Sequence, residues 1–291
     1  MIDISNSFNF QQTIAKPVSI KGIGLHSGVA VSMNLYPAEA DYGIKFIRKD
    51  ITTNNNTIEA LWSNVTDTKL STTISNQNGL SVSTIEHLMS ALSGLHIDNI
   101  KIDIDGPEVP IMDGSSIKFV DLINKASIKS LDKKRKILKV KKNIKVEKND
   151  TSVELKPNHQ FSIDFEIDFP SKLVSQQSCQ LQLVNGNYKT DIASARTFGF
   201  EKDVDMLRSN GLALGGSLDN AVVVGKSKIL NSEGLRFKDE FVRHKILDSI
   251  GDLYLAGSPI QGYFSGNKSG HHLNNLLLRS LFADKDNYEY I

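Results

Sequence analysis

Residues 237–257 read FKDEFVRHKILDSIGDLYLAG, and this stretch decides how the chain folds. It predicts a helix over Phe241–Leu255, followed by a strand-like stretch at 260–265. A similar helix is predicted over Ser83–Leu95, where apolar side chains recur with helical spacing, and an alternating strand follows it at 98–105. The two helices are therefore the centres of two similar stretches of sequence.

Strand-like runs precede each helix. In the first half, residues 29–35 alternate between polar and apolar up to Pro37, and 43–47 is expected to pair with them. In the second half, 151–155 and 161–167 follow the same plan. The chain therefore reads as strands followed by one strong helix, twice.

Each predicted helix carries a histidine with a glycine seven residues later: His87 with Gly94, and His244 with Gly251. The identities are few, so this is a weak internal repeat. It predicts an α+β fold of two similar domains, each presenting one histidine-bearing helix. A site at the interface between the domains would draw side chains from both.

Composition excludes several classes of protein. The chain has 291 residues, 40% of them hydrophobic, and a net charge of +1, which argues against a protein built mainly to coat nucleic acid. Its one cysteine, Cys179, allows neither an intramolecular disulfide nor a thiolate metal site. The N-terminus lacks the features of a signal peptide and no apolar run is long enough to span a bilayer. We expect a cytoplasmic monomer.

Residues 125–148 are rich in lysine and allow two interpretations. They could form a nucleic-acid-binding patch, or a solvated linker that runs into an amphipathic edge strand. The second interpretation is favoured because apolar residues are interleaved and aromatic ones are not. The predicted domain boundary lies here, between an N-terminal domain of residues 1–130 and a C-terminal domain of residues 131–291.

In the second helix, His244 and Asp248 are four residues apart and so lie one turn apart on the same face. That spacing lets two side chains reach one metal ion, and Asp252 continues the stripe by another turn. A polar stripe on a helix is more often its solvated face. Here the apolar residues leave no clean opposite face, so the stripe is a candidate for an inward-facing metal pair.

The first helix has Glu86 and His87 near its start. Ser83 and Glu86 have the spacing of a capping box, which gives Glu86 a structural alternative, and a single histidine is more often structural than a ligand. A glutamate beside a metal-bound histidine can nevertheless act on the metal's water without coordinating. Two histidines and one aspartate would leave the open position that a catalytic zinc requires.

Three further segments carry polar groups. Ser194–Phe200 combines a hydroxyl, an arginine and aromatic rings, and a strand-to-loop transition is the favoured interpretation. Gly211–Ser217 has the wrong spacing for a phosphate-binding loop and predicts a hairpin. After Gly270, either His271 or His272 could serve as an acid or cap the next helix.

Together these segments resemble the UDP-3-O-acyl-N-acetylglucosamine deacetylases, the zinc enzymes of lipid A biosynthesis in Gram-negative bacteria. The resemblance extends over most of the chain and preserves the order of the family's motifs. The matching segments are Gly22–Gly28, Ser83–Leu88, Pro110–Ser115, Ala195–Gly199, Gly211–Ser217, Arg236–Asp248 and Lys268–His271.

The resemblance implies roles for individual residues. The zinc ligands would be His87, His244 and Asp248. Glu86 would be the general base, and His271 the acid that protonates the leaving amine, oriented by Asp252. Thr197 would support the oxyanion, while Phe198 and Lys245 would contact the substrate. The family's fold layers helices against a small sheet in each domain, and an insert, here at about 195–225, forms an apolar passage for the acyl chain.

Two alternatives from other classes stay open. Two histidines and one carboxylate also bind Fe²⁺ in non-haem ferrous oxygenases, which makes iron an alternative occupant and oxygenase an alternative function. Those enzymes usually carry the ligands on barrel strands, whereas His244 and Asp248 are predicted on a helix. A non-enzymatic, RNA-binding function would depend on residues 125–148 alone.

Overall fold

The computed structural model describes residues 9–52, 55–183 and 186–291. Its helices are α1 (Glu86–Gly94), α2 (Ile117–Ala126), α3 (Tyr188–Asp191), α4 (Val204–Ser209), α5 (Glu240–Tyr254) and α6 (His271–Phe282). Its strands are β1 (Phe10–Ile14), β2 (Val18–Ile23), β3 (Ala30–Pro37), β4 (Ile44–Arg48), β5 (Thr57–Glu59), β6 (Val65–Asp67), β7 (Thr73–Ser75), β8 (Ser81–Val82), β9 (Ile100–Ile104), β10 (Ile128–Lys134), β11 (Leu138–Val140), β12 (Ile144–Lys148), β13 (Thr151–Lys156), β14 (Ser162–Asp168), β15 (Gln176–Gln182), β16 (Phe198–Phe200), β17 (Val222–Val224), β18 (Ile260–Gln261), β19 (Tyr263–Asn267) and β20 (Tyr288–Tyr290).

Two five-stranded sheets share one topology, which confirms the predicted α+β fold of two similar halves. Their strand orders are β2-β3-β9-β4-β5 and β12-β13-β19-β14-β15. In each, the last strand in the chain lies at the centre, antiparallel to one neighbour and parallel to the other. The division predicted between residues 130 and 131 falls within β10, and it stays a prediction.

The expected pairing of residues 43–47 with 29–35 is wrong, because β9 lies between β3 and β4. A parallel pair such as β4 and β9 needs a long crossover connection, and the segment that contains α1 supplies it. The pairing partner of a strand therefore depends on chain that comes after the helix.

Helices α1 and α5 pack against each other where the two halves meet. Gly251 allows this approach, because a Cβ atom there would overlap the backbone carbonyl of Glu86. A Cβ atom at Gly94 would likewise overlap the ring of Tyr188. Helix α5 also contacts β14 and β15, and α6 contacts β12 and β13, so helices are layered against the second sheet. Among the described residues, no helix is long and apolar enough to cross a membrane.

The first helix begins three residues later than predicted, at Glu86. The backbone N–H of Ser83 donates to the carbonyl of Pro107 at 2.9 Å, and Thr84 has a φ of 56°, which no helix accommodates. The capping-box alternative is therefore wrong. The Glu86 carboxylate accepts instead from the backbone N–H of Thr72 at 3.0 Å.

Residues 125–148 contain the end of α2 and three strands, so the predicted linker is wrong while the predicted edge strand is confirmed. Strand β10 pairs with β1, β11 lies between β18 and β20, and β12 is an edge of the second sheet. Leu138 and Val140 are buried, because the apolar positions alternate with lysines along β11. Lys139 Nζ lies 2.8 Å from Glu289 Oε1 on the neighbouring strand β20.

The segment at 195–225 contains a parallel pair of strands, β16 and β17, with α4 between them. The hairpin predicted at Gly211–Ser217 is wrong. Residues 211–217 contain no strand; the backbone N–H groups of Leu214 and Gly215 donate to carbonyls of the loop after β2 at 3.2 and 3.0 Å, so this loop bonds to the first half. The Ser194–Phe200 segment runs from loop into strand, the reverse of the expected direction.

Candidate active site

A cavity of about 690 Å³ lies where the two histidine-bearing helices meet. Helix α1 contributes Glu86 and His87 to its wall, α5 contributes His244 and Asp248, and the first residue of α6 is His271. Side chains predicted from three separate segments thus share one cavity.

His87, His244 and Asp248 form a cluster that could hold a metal ion, with all candidate ligand atoms within 4.8 Å of one another. Asp248 Oδ1 lies 3.5 Å from His87 Nε2 and 3.3 Å from His244 Nε2. Ligands at about 2.1 Å from a tetrahedral zinc ion stand about 3.4 Å apart, so these separations fit such an ion. The buried Asp248 Oδ1 has no hydrogen-bond partner in the described chain, and a metal ion bound there would satisfy it.

A backbone contact to Nδ1 of His244 fixes which of the two ring nitrogens carries the proton. Its Nδ1 lies 3.1 Å from the carbonyl oxygen of Ala195, which can only accept, so Nδ1 carries the proton and Nε2 faces Asp248 with its lone pair. Burial lowers the pKa of His244 to about 3, with His87 and Lys245 adding to the effect and Asp248 opposing it. The imidazole is therefore neutral near neutral pH, the form that binds metals.

A buried ion pair holds the chain next to Ala195. The Arg196 backbone N–H and Nε donate to Glu240 Oε1 at 3.0 and 2.9 Å. Arg196 also donates from Nη1 to Glu233 Oε1 at 2.6 Å. Glu240 is the first residue of α5, so this pair ties the carbonyl that orients His244 to the helix that carries it.

Lys245 bonds to the candidate metal ligand rather than standing free in the cavity. Its Nζ donates to Asp248 Oδ2 at 2.8 Å, which leaves Oδ1 directed at the two histidines. Burial by itself would raise the pKa of Asp248, yet His244 and Lys245 hold it well below its usual range. Asp248 is therefore ionised across the physiological range.

Glu86 lies beside the metal-binding cluster but outside it. Its Oε2 accepts from the Thr72 backbone, and its Oε1 lies 3.8 Å from His271 Nε2. Burial raises the pKa of Glu86, while the nearby His271 and His87 lower it. A buried carboxylate with raised proton affinity is suited to accept a proton from water.

His271 is buried and paired with Asp252, whereas His272 is exposed. Asp252 Oδ2 lies 2.8 Å from His271 Nδ1, so Nε2 points towards Glu86. Burial lowers the pKa of His271, but Asp252 and Glu86 outweigh it and raise that pKa to about 9. The ring is therefore charged at neutral pH and can donate a proton into the cavity.

Thr197 and Phe198 also line the cavity. The Thr197 N–H donates to the carbonyl of Gly114 at 2.7 Å, and its own carbonyl accepts from Val222 at 2.8 Å, which fixes the backbone there. The Phe198 ring packs edge-on against His244, with centroids 6.5 Å apart. Both residues also line a second, apolar cavity of about 300 Å³ formed largely by the 195–225 segment.

Three supporting residues had no predicted role: Thr72, His26 and Glu108. The Glu108 carboxylate accepts from the His26 backbone N–H and the Thr84 hydroxyl, both at 2.9 Å. His26 lines the apolar cavity, and burial lowers its pKa against the opposing charge of Glu108. Of these three residues, only His26 lies within a segment that carries the family resemblance, Gly22–Gly28.

The chain is similar to a known family over nearly its whole length. The family described as UDP-3-O-acyl N-acetylglycosamine deacetylase matches residues 11–283. A protein of Geobacter sp. (strain M21), named UDP-3-O-acyl-N-acetylglucosamine deacetylase, is 50% identical over 282 residues, covering 97% of this chain and 92% of that protein. Proteins of the same name from Syntrophus aciditrophicus (strain SB) and Shewanella oneidensis are each 46% identical, covering 96% and 97% of this chain and 88% and 92% of their own length.

Proposed function

Because the chain belongs to the UDP-3-O-acyl-N-acetylglucosamine deacetylase family, we propose that it removes the N-acetyl group from UDP-3-O-acyl-N-acetylglucosamine. Water is consumed, and the products are acetate and UDP-3-O-acyl-glucosamine. The observation that carries the proposal is the metal-binding cluster of His87, His244 and Asp248, with Glu86 beside it and His271 facing Glu86. The reaction would be the committed step of lipid A biosynthesis.

Zinc is the metal that we propose for the cluster. Two imidazoles and one carboxylate suit zinc and leave one position open, and the fixed Nδ1–H of His244 supports this residue as a ligand. When bound, zinc supplies a Lewis acid that makes water more acidic, towards a pKa of about 7, and polarises a carbonyl group. Fe²⁺ suits the same ligands and is the alternative occupant.

Glu86 is the proposed general base. It takes one proton from the attacking water while the oxygen forms a bond to the acetamide carbon. Its position supports this role, because the Thr72 N–H holds Oε2 and leaves Oε1 directed into the cavity at 3.8 Å from His271. General-base assistance of this kind is worth about 10²–10⁴ in rate.

Thr197 and His271 complete the proposed chemistry. The Thr197 hydroxyl would donate to the oxyanion that forms on the acetamide oxygen, on the wall of the cavity that it lines. His271 would give its proton to the amide nitrogen as the carbon–nitrogen bond breaks, so that a neutral amine leaves. Asp252 supports this step by keeping the ring charged and oriented.

The rest of the substrate would extend from the cavity in two directions. The acyl chain would enter the apolar cavity of the 195–225 segment, past Phe198. Lys245 would contact a polar oxygen of the sugar from its position beside Asp248. A single cysteine fits a reducing compartment, which supports a cytoplasmic location.

The test is acetate release from UDP-3-O-acyl-N-acetylglucosamine by the purified zinc-loaded protein. The matched substrate is UDP-N-acetylglucosamine without the 3-O-acyl group. We expect acetate from the first and a large loss of kcat/KM with the second, because the apolar cavity would then be empty of its ligand. Acetate from neither substrate, with zinc bound, would contradict the proposed reaction.

A further inference from the structure

Thr72 contacts the side chains of both helices that meet at the active site. It lies between β6 and β7 in the first half and is 2% exposed. Its backbone N–H donates to Glu86 Oε2 at 3.0 Å, and its hydroxyl donates to Asp252 Oδ1 at 2.5 Å. Its carbonyl accepts from the Ile85 N–H at 3.3 Å, which ties it to the start of α1. One residue therefore links α1 of the first half to α5 of the second.

The hydroxyl of Thr72 determines how the Asp252 carboxylate can turn. Asp252 Oδ2 lies 2.8 Å from His271 Nδ1 and accepts from Asn274 Nδ2 at 2.9 Å. On Oδ1, the donor identified in the described chain is the Thr72 hydroxyl. Rotation about the Cβ–Cγ bond moves both oxygens, so the Thr72 hydrogen bond adds to the resistance that the two contacts at Oδ2 provide, and its loss makes the carboxylate easier to turn.

We propose that Thr72 is a positioning residue for the reaction, whose hydroxyl fixes the rotamer of Asp252 and so orients the proton-donating ring of His271. This inference rests on the proposed deacetylase function. The same residue, through its N–H, holds Glu86 in place. Thr72 thereby positions the proposed base, Glu86, relative to Asp252, the partner of the proposed acid His271.

The Thr72 hydroxyl affects the protonation of His271 indirectly, through Asp252, which is one of several charged groups around the ring. Asp252 and Asp248 face it from α5, Glu86 from α1, and His26 from the loop after β2. Of these, Asp252 makes the direct contact with Nδ1. When Asp252 turns away, the ring loses its nearest negative charge, and it then gives up its proton at lower pH.

The variant Thr72→Val removes the hydroxyl and keeps both the side-chain shape and the N–H that binds Glu86. We expect kcat to fall by roughly tenfold with little change in KM, since a hydrogen bond to a charged group is worth about that much. Thr72→Ser should restore most of the loss. Thr73→Val is the matched control on the next residue, and it should behave as wild type. Thr72→Ala tests the same hydroxyl should the valine variant fail to fold.

A double-mutant cycle separates positioning from a general structural role. If Thr72 acts through Asp252, Thr72→Val should cost little further activity in an Asp252→Asn background. If the effects of the two substitutions multiply instead, the proposed role of Thr72 is overturned.

Histidine NMR gives a readout that needs no turnover. We expect the titration midpoint of His271 to fall by about one pH unit in Thr72→Val and to stay in place in Thr72→Ser. An unchanged midpoint in the folded valine variant would overturn the inference even if the enzyme were active. Wild-type protein that binds zinc but releases no acetate would contradict the proposed function instead, so the two failures are distinguishable.

Discussion

Nδ1 of His271 lies 2.8 Å from Oδ2 of Asp252, and both side chains are buried. The other ring nitrogen faces Glu86 at 3.8 Å. One imidazole is thus placed between two carboxylates at the edge of the metal-binding cluster. This relationship would keep the proposed acid, His271, charged beside the proposed base, Glu86, near neutral pH.

The first prediction concerns the pH dependence of the reaction. His271 is the proposed acid and must be protonated, so kcat/KM should fall as pH rises through about 9. In Asp252→Asn the attraction that holds the proton is removed, and this alkaline limb should move to lower pH. The measurement is kcat/KM against pH for both proteins. A limb that stays in place in the variant would assign it to another group.

The same contact also makes folding stability depend on pH. The folded-state pKa of about 9 lies above the ordinary value of 6.5, so the charged contact stabilises the fold fully below pH 6.5 and is lost as pH rises through about 9. Asp252→Asn should flatten this part of the stability curve. Urea unfolding at several pH values on metal-free protein would measure it.

The second prediction concerns Glu86. Because the carboxylate lies outside the metal-binding cluster, Glu86→Gln should bind zinc as wild type does and lose about 10²–10⁴ in kcat. Asp248→Asn is the matched variant and should lose zinc, since Asp248 is a proposed ligand. Zinc content and acetate release, measured on the same samples, check both. Near-normal turnover in Glu86→Gln would remove it as the base.

The third prediction compares two glutamates that pair with Arg196. Glu240 is fully buried, whereas the side chain of Glu233 is 55% exposed. Glu240→Gln should destabilise the fold by up to about 3–5 kcal/mol, because Arg196 loses the buried one of its two carboxylate partners, and it should weaken zinc binding by about 10–100-fold through the shifted Ala195 carbonyl. Glu233→Gln should cost at most about 1 kcal/mol.

Urea unfolding and competitive zinc titration measure the two effects. Equal losses in the free energy of unfolding for Glu240→Gln and Glu233→Gln would show that burial of the ion pair does not contribute to stability. A stability loss in Glu240→Gln without any change in zinc affinity would separate Arg196 and Glu240 from the orientation of His244.

The fourth prediction tests the approach of the two central helices. In Gly251→Ala the new methyl group would overlap the Glu86 backbone, so α1 and α5 would have to separate. We expect a loss of about 1–3 kcal/mol in the free energy of unfolding. Gly199→Ala is the control, because a Cβ atom at Gly199 meets nothing within 4 Å. Similar unfolding curves for the two variants would contradict the close packing.

The sequence predicts the local features of this site better than the distant ones. Helical periodicity places His244 and Asp248 on one face of α5, and the internal repeat identifies α1 as its counterpart. The i, i+4 spacing follows from helix geometry alone. These features depend on residues close in the chain, which is why they can be read from it.

Contacts between distant residues leave no such pattern. Thr72 and Asp252 are 180 residues apart, and nothing near either position indicates their hydrogen bond. The pairing of β9 between β3 and β4 was missed for the same reason. The bond from Lys245 to Asp248 lies within one helical turn, but the sequence does not show whether water competes for it; in the structure Asp248 is buried and the Lys245 side chain is only 17% exposed.

The most direct test of the account is a zinc titration of chelator-treated protein, followed by acetate release at each point. We expect activity to rise linearly and to level off at one zinc ion per chain in the wild type, and to stay absent in His244→Ala at the same zinc concentrations. Activity that is unaffected by removing the metal, or that survives in His244→Ala, would contradict a zinc centre formed by His87, His244 and Asp248.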